Sequence, residues 1–181
     1  MLDADDILRF WYAETMRVQW FRATPRLDAM LKENYEPVWR AAANGELDAW
    51  RATAKGCLAL AIILDQLPLN MFRGTAKSFS TAQQALAVIK HALAQAFDQQ
   101  IDKAQRAFLY MPLMHSENLA DQDLAVALFA ASGLESNLRF AHHHREIVRR
   151  FGRFPHRNAI LGRTSTAEER AYLMSKAAFK G

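Results

Sequence analysis

Arg153, His156, Arg157, Asn158 and Arg163 fall within eleven residues of the stretch FGRFPHRNAILGRTSTAEE at 151–169. A guanidinium presents a planar fork of donors that matches a carboxylate or phosphate, and an imidazole and an amide can orient what the fork holds. Gly152, Pro155 and Gly162 fix the backbone around these side chains. Ser165 or Thr166, with Glu168 or Glu169 completing a capping box, opens a helix directly afterwards. A donor-rich loop that feeds a helix N-terminus can hold an anion. A second reading has the same arginines capping helix ends and pairing with Asp65, Glu117 or Glu146, which fastens the last helix in place.

Three other places carry side chains that could join this loop. Arg73 and Asn70 stand in LPLNMFRGT, an irregular segment in which Pro68 ends the helix before it. Asp65 closes that apolar helix, and a carboxylate there needs a cation or several donors, with Arg73 or an arginine of the 153–163 loop as the natural partner. His115 and Glu117 stand on a turn, because Pro112 ends one helix and Asn118 begins another. At 100° per residue, Phe140, Ala141, Ile147, Val148 and Phe151 share a helix face with His144 at its centre, so His144 is buried while His142 and His143 face water.

Three imidazoles, His115, His144 and His156, together with Glu117 form a ligand set that zinc or iron accepts. The spacing offers no support for it: there is no His-Glu-x-x-His pair, and no histidine has a Glu three residues before it. A buried, hydrogen-bonded structural histidine is the better account of His144. Cys57 lies inside an apolar run and reads as an inert small hydrophobe, and Ser116 beside His115 lacks a nucleophile elbow. No catalytic residue, metal ligand or cofactor is therefore assigned. Trp11, Trp20, Phe21, Trp39 and Trp50 read as core rather than as an aromatic groove. Arg149, Arg150 and Arg153 with Phe151 and Phe154 would suit nucleic acid, but a Phe151 packed inward removes the stacking half of that case.

The elements that must position these residues are helices. Period-two alternation is absent and apolar spacings of three and four recur, which makes the chain all-α. Thr24 before Pro25, Asp48, and Thr81 with Gln84 mark helix starts, while Gly45, Gly133 and Gly152 mark stops. The pattern predicts about eight helices, near 3–13, 25–43 with a bend at Pro37, 48–66, 81–97, 102–111, 118–132, 135–151 and 166–178. Short connections imply antiparallel neighbours, as in a bundle or an α-solenoid of helix pairs, although no repeat of about 34 residues is readable. Cys57 to Leu64 is apolar all round, so the third helix is the most enclosed.

With 181 residues and 51% hydrophobic content, the chain can bury one sizeable core, and residues 1–181 are expected to form a single helical domain. One cysteine cannot close an internal disulfide, and an acidic start with no apolar signal core behind it predicts a cytoplasmic protein. The longest apolar run has eight residues, well short of the roughly 20 a spanning helix needs, so no membrane span is expected. The net charge of +4 is local: residues 139–163 hold seven Arg against one acid, which points to a focused anion site rather than a polyanion partner.

Several segments together resemble the bacterial family catalogued as domain of unknown function 924. They are the aromatic pairs Phe10-Trp11 and Trp20-Phe21, LDQLPLNMFRGT at 64–75, YMPLMHSE at 110–117 and HREIVRRFGRFPHRNAILGRTST at 144–166. The resemblance implies a right-handed superhelix of the tetratricopeptide-like kind and brings no activity with it. The chain departs from the family pattern at Leu69, where Arg is usual, at Ala76, where Pro is usual, and at Ala82, where Asp is common. A ligand role for residues 69–82 does not carry over.

Three functions follow as expectations. In the first, a binding module holds a carboxylate, phosphate or acidic peptide in a pocket of Arg73, His115, Glu117, His144, Arg153, His156, Arg157, Asn158 and Arg163. The alternative is an enzyme, such as a metal-dependent hydrolase, with His115 or His156 as base or ligand beside Glu117 and His144. The third is a scaffold that binds protein or peptide in a helical groove.

Overall fold

The structure, a computed structural model, describes residues 2–22 and 24–179. Among them every regular element is helical and no strand occurs. The helices are α1 (Ala4–Trp11), α2 (Glu14–Arg17), α3 (Pro25–Ala43), α4 (Ala54–Ala61), α5 (Leu67–Met71), α6 (Ala82–Ala94), α7 (Lys103–Met114), α8 (Leu119–Ala131), α9 (Glu135–Phe151) and α10 (Ala167–Met174). None of them, among the described residues, is long and apolar enough to cross a membrane. The chain divides into two compact units, Met1–Arg73 with Lys77–Pro112, and Gly74–Ala76 with Leu113–Gly181.

In the first unit α1, α3 and α4 open on side chains that accept orphan backbone N–H groups. Asp3 and Asp6 make a reciprocal capping box on α1, and Thr24 accepts from Leu27 with Pro25 at the first helical position of α3. Asp48 opens only a 3-10 turn, Asp48–Ala52; α4 begins later, where the Thr53 side chain accepts the Gly56 N–H. Gly56 has to lack a side chain, because a Cβ there would stand 1.9 Å from the Trp50 carbonyl oxygen. From Cys57 to Leu64 no residue is more than 2% exposed, as an all-round apolar run requires.

That helix does not stop at Pro68. It passes through a π-turn, Ile62–Gln66, in which the Leu67 N–H reaches back to the Ile62 carbonyl, and continues as α5. Proline has no N–H to give the Leu64 carbonyl, which residue 68 would bond in an uninterrupted α-helix. The Thr81 hydroxyl donates to that carbonyl at 2.6 Å and accepts the Trp39 indole N–H at 3.2 Å. Thr81 is thereby employed elsewhere and makes no capping box with Gln84, whose amide donates to the Ala43 carbonyl. α7 likewise runs through Pro112 to Met114, because a proline two residues from a helix end forfeits a single ladder bond. The aromatics divide: Trp11 and Trp39 are buried, Trp20 and Trp50 half-buried, and Phe21 is 78% exposed rather than core.

In the second unit α8 and α9 pack as a hairpin closed by Gly133, whose φ of 60° lies in the left-handed region. α9 ends at Gly152, φ 69°, with the Gly152 N–H on the Val148 carbonyl. α10 starts as its sequence predicts, in a capping box of Thr166 and Glu169. Ile147, Val148, Phe154 and Tyr172 form one buried cluster of this unit's core, with Phe151, Leu173, Ala178 and Phe179 packed against it. Phe140, which helical spacing assigns to the buried face, is 54% exposed. A helical wheel supplies an angle and not a neighbour, and only part of the α9 face meets this core.

Candidate functional site

Two short segments of the second unit are stitched together by side chains that the sequence singles out. The turn Met114–Asn118 is held from below: the Gln122 amide donates to the Met114 and Ser116 carbonyls at 2.7 and 2.6 Å, and the Ser116 hydroxyl donates to Asp121 at 2.7 Å. This aims Glu117 at the loop after α9. One Glu117 oxygen accepts the Phe154 N–H at 2.8 Å, and the Arg163 fork bonds both oxygens at 2.6 and 2.9 Å. Arg157 returns the contact, donating to the His115 carbonyl at 2.9 Å with its guanidinium 4.4 Å from the Phe154 ring centroid.

The loop itself is compact. Pro155–Arg157 is a 3-10 turn, Gly162 takes φ 66°, and the Arg163 N–H closes onto the Asn158 carbonyl at 2.8 Å. Asn158, 1% exposed, accepts from Arg163 Nε at its side-chain oxygen and donates from its amide to the Ser165 hydroxyl. Arg153 lies at the start of the loop and bonds both oxygens of Glu169, at 2.6 and 2.9 Å, so the residue that caps α10 also anchors the loop. Arg153 and Arg163 thus spend their forks on internal carboxylates, the pairing expected of a brace.

Protonation follows from these contacts. Burial pushes the Glu117 carboxyl up, but the Arg163 fork and the Phe154 N–H outweigh it and hold the group below its ordinary value. The Arg153 fork, followed by the Thr166 N–H, lowers Glu169 to about 2. His144 is 4% exposed with Nδ1 on the Phe140 carbonyl, and burial, followed by the His115 imidazole, pushes it down to about 3. Burial and then the Arg157 charge bring His156 to about 4. Both imidazoles are therefore neutral near pH 7.

The histidines gather on one side of this brace. The His115 and His144 ring centroids are 6.4 Å apart, and the Phe154 ring lies 5.4 Å from His144 and 5.6 Å from His156. His142 and His143 are exposed. No group of three or more His, Cys, Asp or Glu side chains among the described residues is placed to hold a metal ion. Arg73 belongs to the first unit, where its fork bonds both oxygens of Asp28 and the Asn70 side chain. The other eight predicted residues lie in the second unit. Cys57 is fully buried, and burial raises its thiol to about 11.

Two contributors escape sequence reasoning. Gln122 stands in no motif of the sequence and is wholly buried. Phe179 follows the last helix with no motif around it, yet its ring lies 4.5 Å from His144 and 5.1 Å from His156, centroid to centroid.

Comparison with known proteins places the chain without giving it an activity. A solved structure from Agrobacterium tumefaciens, described as a protein of unknown function, is similar at 40% sequence identity with a TM-score of 0.89, covering 94% of this chain and 96% of that one. No curated protein matches. The family model described as "Bacterial protein of unknown function (DUF924)" matches residues 7–177. With nearly its whole length matched, including the 110–117 and 144–166 motifs that build the brace, the chain belongs to this family of bacterial proteins.

Proposed function

We propose that the second unit is a cytoplasmic binding module for a small anion, a carboxylate or a phosphate. Arg157 supplies the charge, His115, His144 and His156 line the recess, and Glu117, Arg153, Asn158 and Arg163 form the rigid frame around it. The observation that carries this reading is His156 Nδ1, a buried ring nitrogen with no hydrogen-bond partner among the described residues. Leaving such an atom unmatched costs about 1–3 kcal/mol, and a neutral imidazole can meet that cost by donating Nδ1–H to an anionic oxygen. A frame with its own charges already neutralised keeps the recess in shape before the ligand arrives.

The same geometry favours binding over catalysis. Glu117 has both oxygens committed to Arg163 and the Phe154 N–H, so it is not available to orient an imidazole. Histidines with pKa values of about 3 and about 4 are weak proton acceptors near neutral pH.

The test is calorimetry and thermal shift with orthophosphate and citrate against a chloride control of equal ionic strength. Wild type is expected to gain melting temperature with phosphate or citrate, by about 2.7 kcal/mol of stabilisation at a hundredfold excess over Kd. His156→Ala and Arg157→Lys should lose the gain while keeping the fold. If phosphate and citrate do no more than chloride, the anion reading fails. One equivalent of tightly held metal in elemental analysis would restore the enzyme reading in its place.

A further inference from the structure

Phe179 follows α10 in a stretch with no regular structure, yet its ring sits in a cradle of imidazoles. Its centroid is 4.5 Å from His144 at an interplanar angle of 60°, 5.1 Å from His156 at 75° and 6.3 Å from His143 at 66°. These are the edge-to-face separations that aromatic pairs prefer. The segment bearing the ring has few backbone bonds to the rest of the unit. The Phe179 N–H donates to the Tyr172 hydroxyl at 2.9 Å, whereas the backbone bonds of Ser175 and Ala178 stay local, to the Tyr172 and Ser175 carbonyls. Ser175, Lys176 and Ala177 are exposed. One backbone bond to a phenol, three ring contacts and the packing of Ala178 and Phe179 on the Ile147, Val148, Phe154 and Tyr172 cluster hold the segment, with no helical ladder of its own, and such an attachment opens more readily than a helix does.

We propose that the seat of Phe179 is an aryl subsite of the ligand recess, and that residues 175–179 are a strap displaced by a ligand bearing an aromatic ring next to a carboxylate or phosphate. This rests on the anion-binding reading of His156 and Arg157. The ligand ring takes over the contacts of Phe179 with His144 and His156. An acid group one or two bonds from that ring then comes within reach of His156 Nδ1, because the His156 ring lies 5.1 Å from the seat. Phe179 is in this sense a built-in occupant that keeps an aromatic slot dry until a ligand replaces it. The strap also sets a threshold, since a ligand without a ring gains nothing from opening it.

Two measurements on the full chain test the proposal separately. The first needs no ligand: acylation of His144 and His156 by diethyl pyrocarbonate, followed by peptide mass spectrometry. Phe179→Ala is expected to raise both rates about tenfold while His142 stays constant, and Phe179→Leu, which refills the seat, should stay near wild type. Unchanged rates in Phe179→Ala overturn the strap. Should Phe179→Ala lose its circular dichroism, Tyr172→Phe removes only the anchoring hydroxyl; a rise of about threefold is expected there, and no rise overturns the strap equally. The second is calorimetry with phenylphosphonate and methylphosphonate. Phe179→Ala should bind phenylphosphonate about tenfold more tightly than wild type and methylphosphonate no better. Equal gains for both phosphonates, or none for the phenyl compound, overturn the aryl subsite. If neither protein binds either phosphonate, the anion reading falls and takes the aryl subsite with it, while raised acylation in Phe179→Ala would still leave the strap standing.

Discussion

Glu117 accepts three hydrogen bonds, one from a backbone N–H and two from a guanidinium, and so ties the 114–118 turn to the 153–163 loop at both its ends. The two side chains of the Glu117–Arg163 pair are 27% and 24% exposed, so part of the attraction is screened by water. Glu117→Gln keeps the shape but turns an amide NH2 toward the Arg163 donors and leaves that charge unmatched. A loss of about 2 kcal/mol is expected in urea denaturation, below the 3–5 kcal/mol of a fully buried pair. Arg163→Ala should cost a similar amount, and the double variant should cost less than the sum because both remove one interaction. A Glu117→Gln change under about 0.5 kcal/mol would mean that the brace is decorative. The group that the proposed ligand addresses is His156, whose Nδ1 has no hydrogen-bond partner among the described residues.

Among the elements, the passage from α4 to α5 through the π-turn at Ile62–Gln66 shows how one unpaired carbonyl recruits distant side chains. Pro68 leaves the Leu64 carbonyl without its ladder donor, Thr81 supplies one, and Trp39 donates to Thr81 in turn. Thr81 is 2% exposed and Trp39 6%, so neither loss can be made good by bulk water. Thr81→Val preserves the volume and removes the hydroxyl, stranding one acceptor and one donor. The expected cost is about 2–4 kcal/mol in urea denaturation, with Thr81→Ser recovering most of it. A Thr81→Val protein as stable as wild type would falsify this account of how the helix crosses Pro68.

For the whole molecule, histidines and carboxylates that are buried or half-buried make stability fall with acid in two stages. His144 has an ordinary value of 6.5 and a folded value of about 3, so the unfolded chain takes up the proton first. Stability is complete above about pH 6.5 and is lost progressively down to about pH 3, amounting to about 2 kcal/mol between about pH 7 and about pH 5. His156, lowered to about 4, acts in the same direction. Glu117 and Glu169, both held below 4.5, add their loss only as the pH falls beneath that value. Urea denaturation at about pH 7 and about pH 5 should show the first stage, and His144→Gln should flatten it. A flat profile in wild type over that range would show that His144 is not buried in its neutral form.

The all-helical class was legible because spacings of three and four are local, and so were the caps at Thr24 and Thr166 and the stops at Gly133 and Gly152, each set by residues within a turn of one another. The donor-rich loop could also be read from residue types alone, and so could the family, whose motifs are contiguous. What tertiary structure decided was where each polar group spends its bonds. Proline at 68 and 112 looks like a helix stop from the sequence, since the orphaned Leu64 carbonyl is rescued by Thr81, seventeen residues away. Thr81 and Gln84 look like a capping box for the same reason, because a box is a local pattern and their true partners are not local. Arg163 could be seen to need an acid, but only the fold selected Glu117, forty-six residues back, and only the fold laid Phe179 across His144 and His156. Local preference is written in short windows of sequence, whereas the pairing of buried charges and rings depends on which windows the collapsed core brings together.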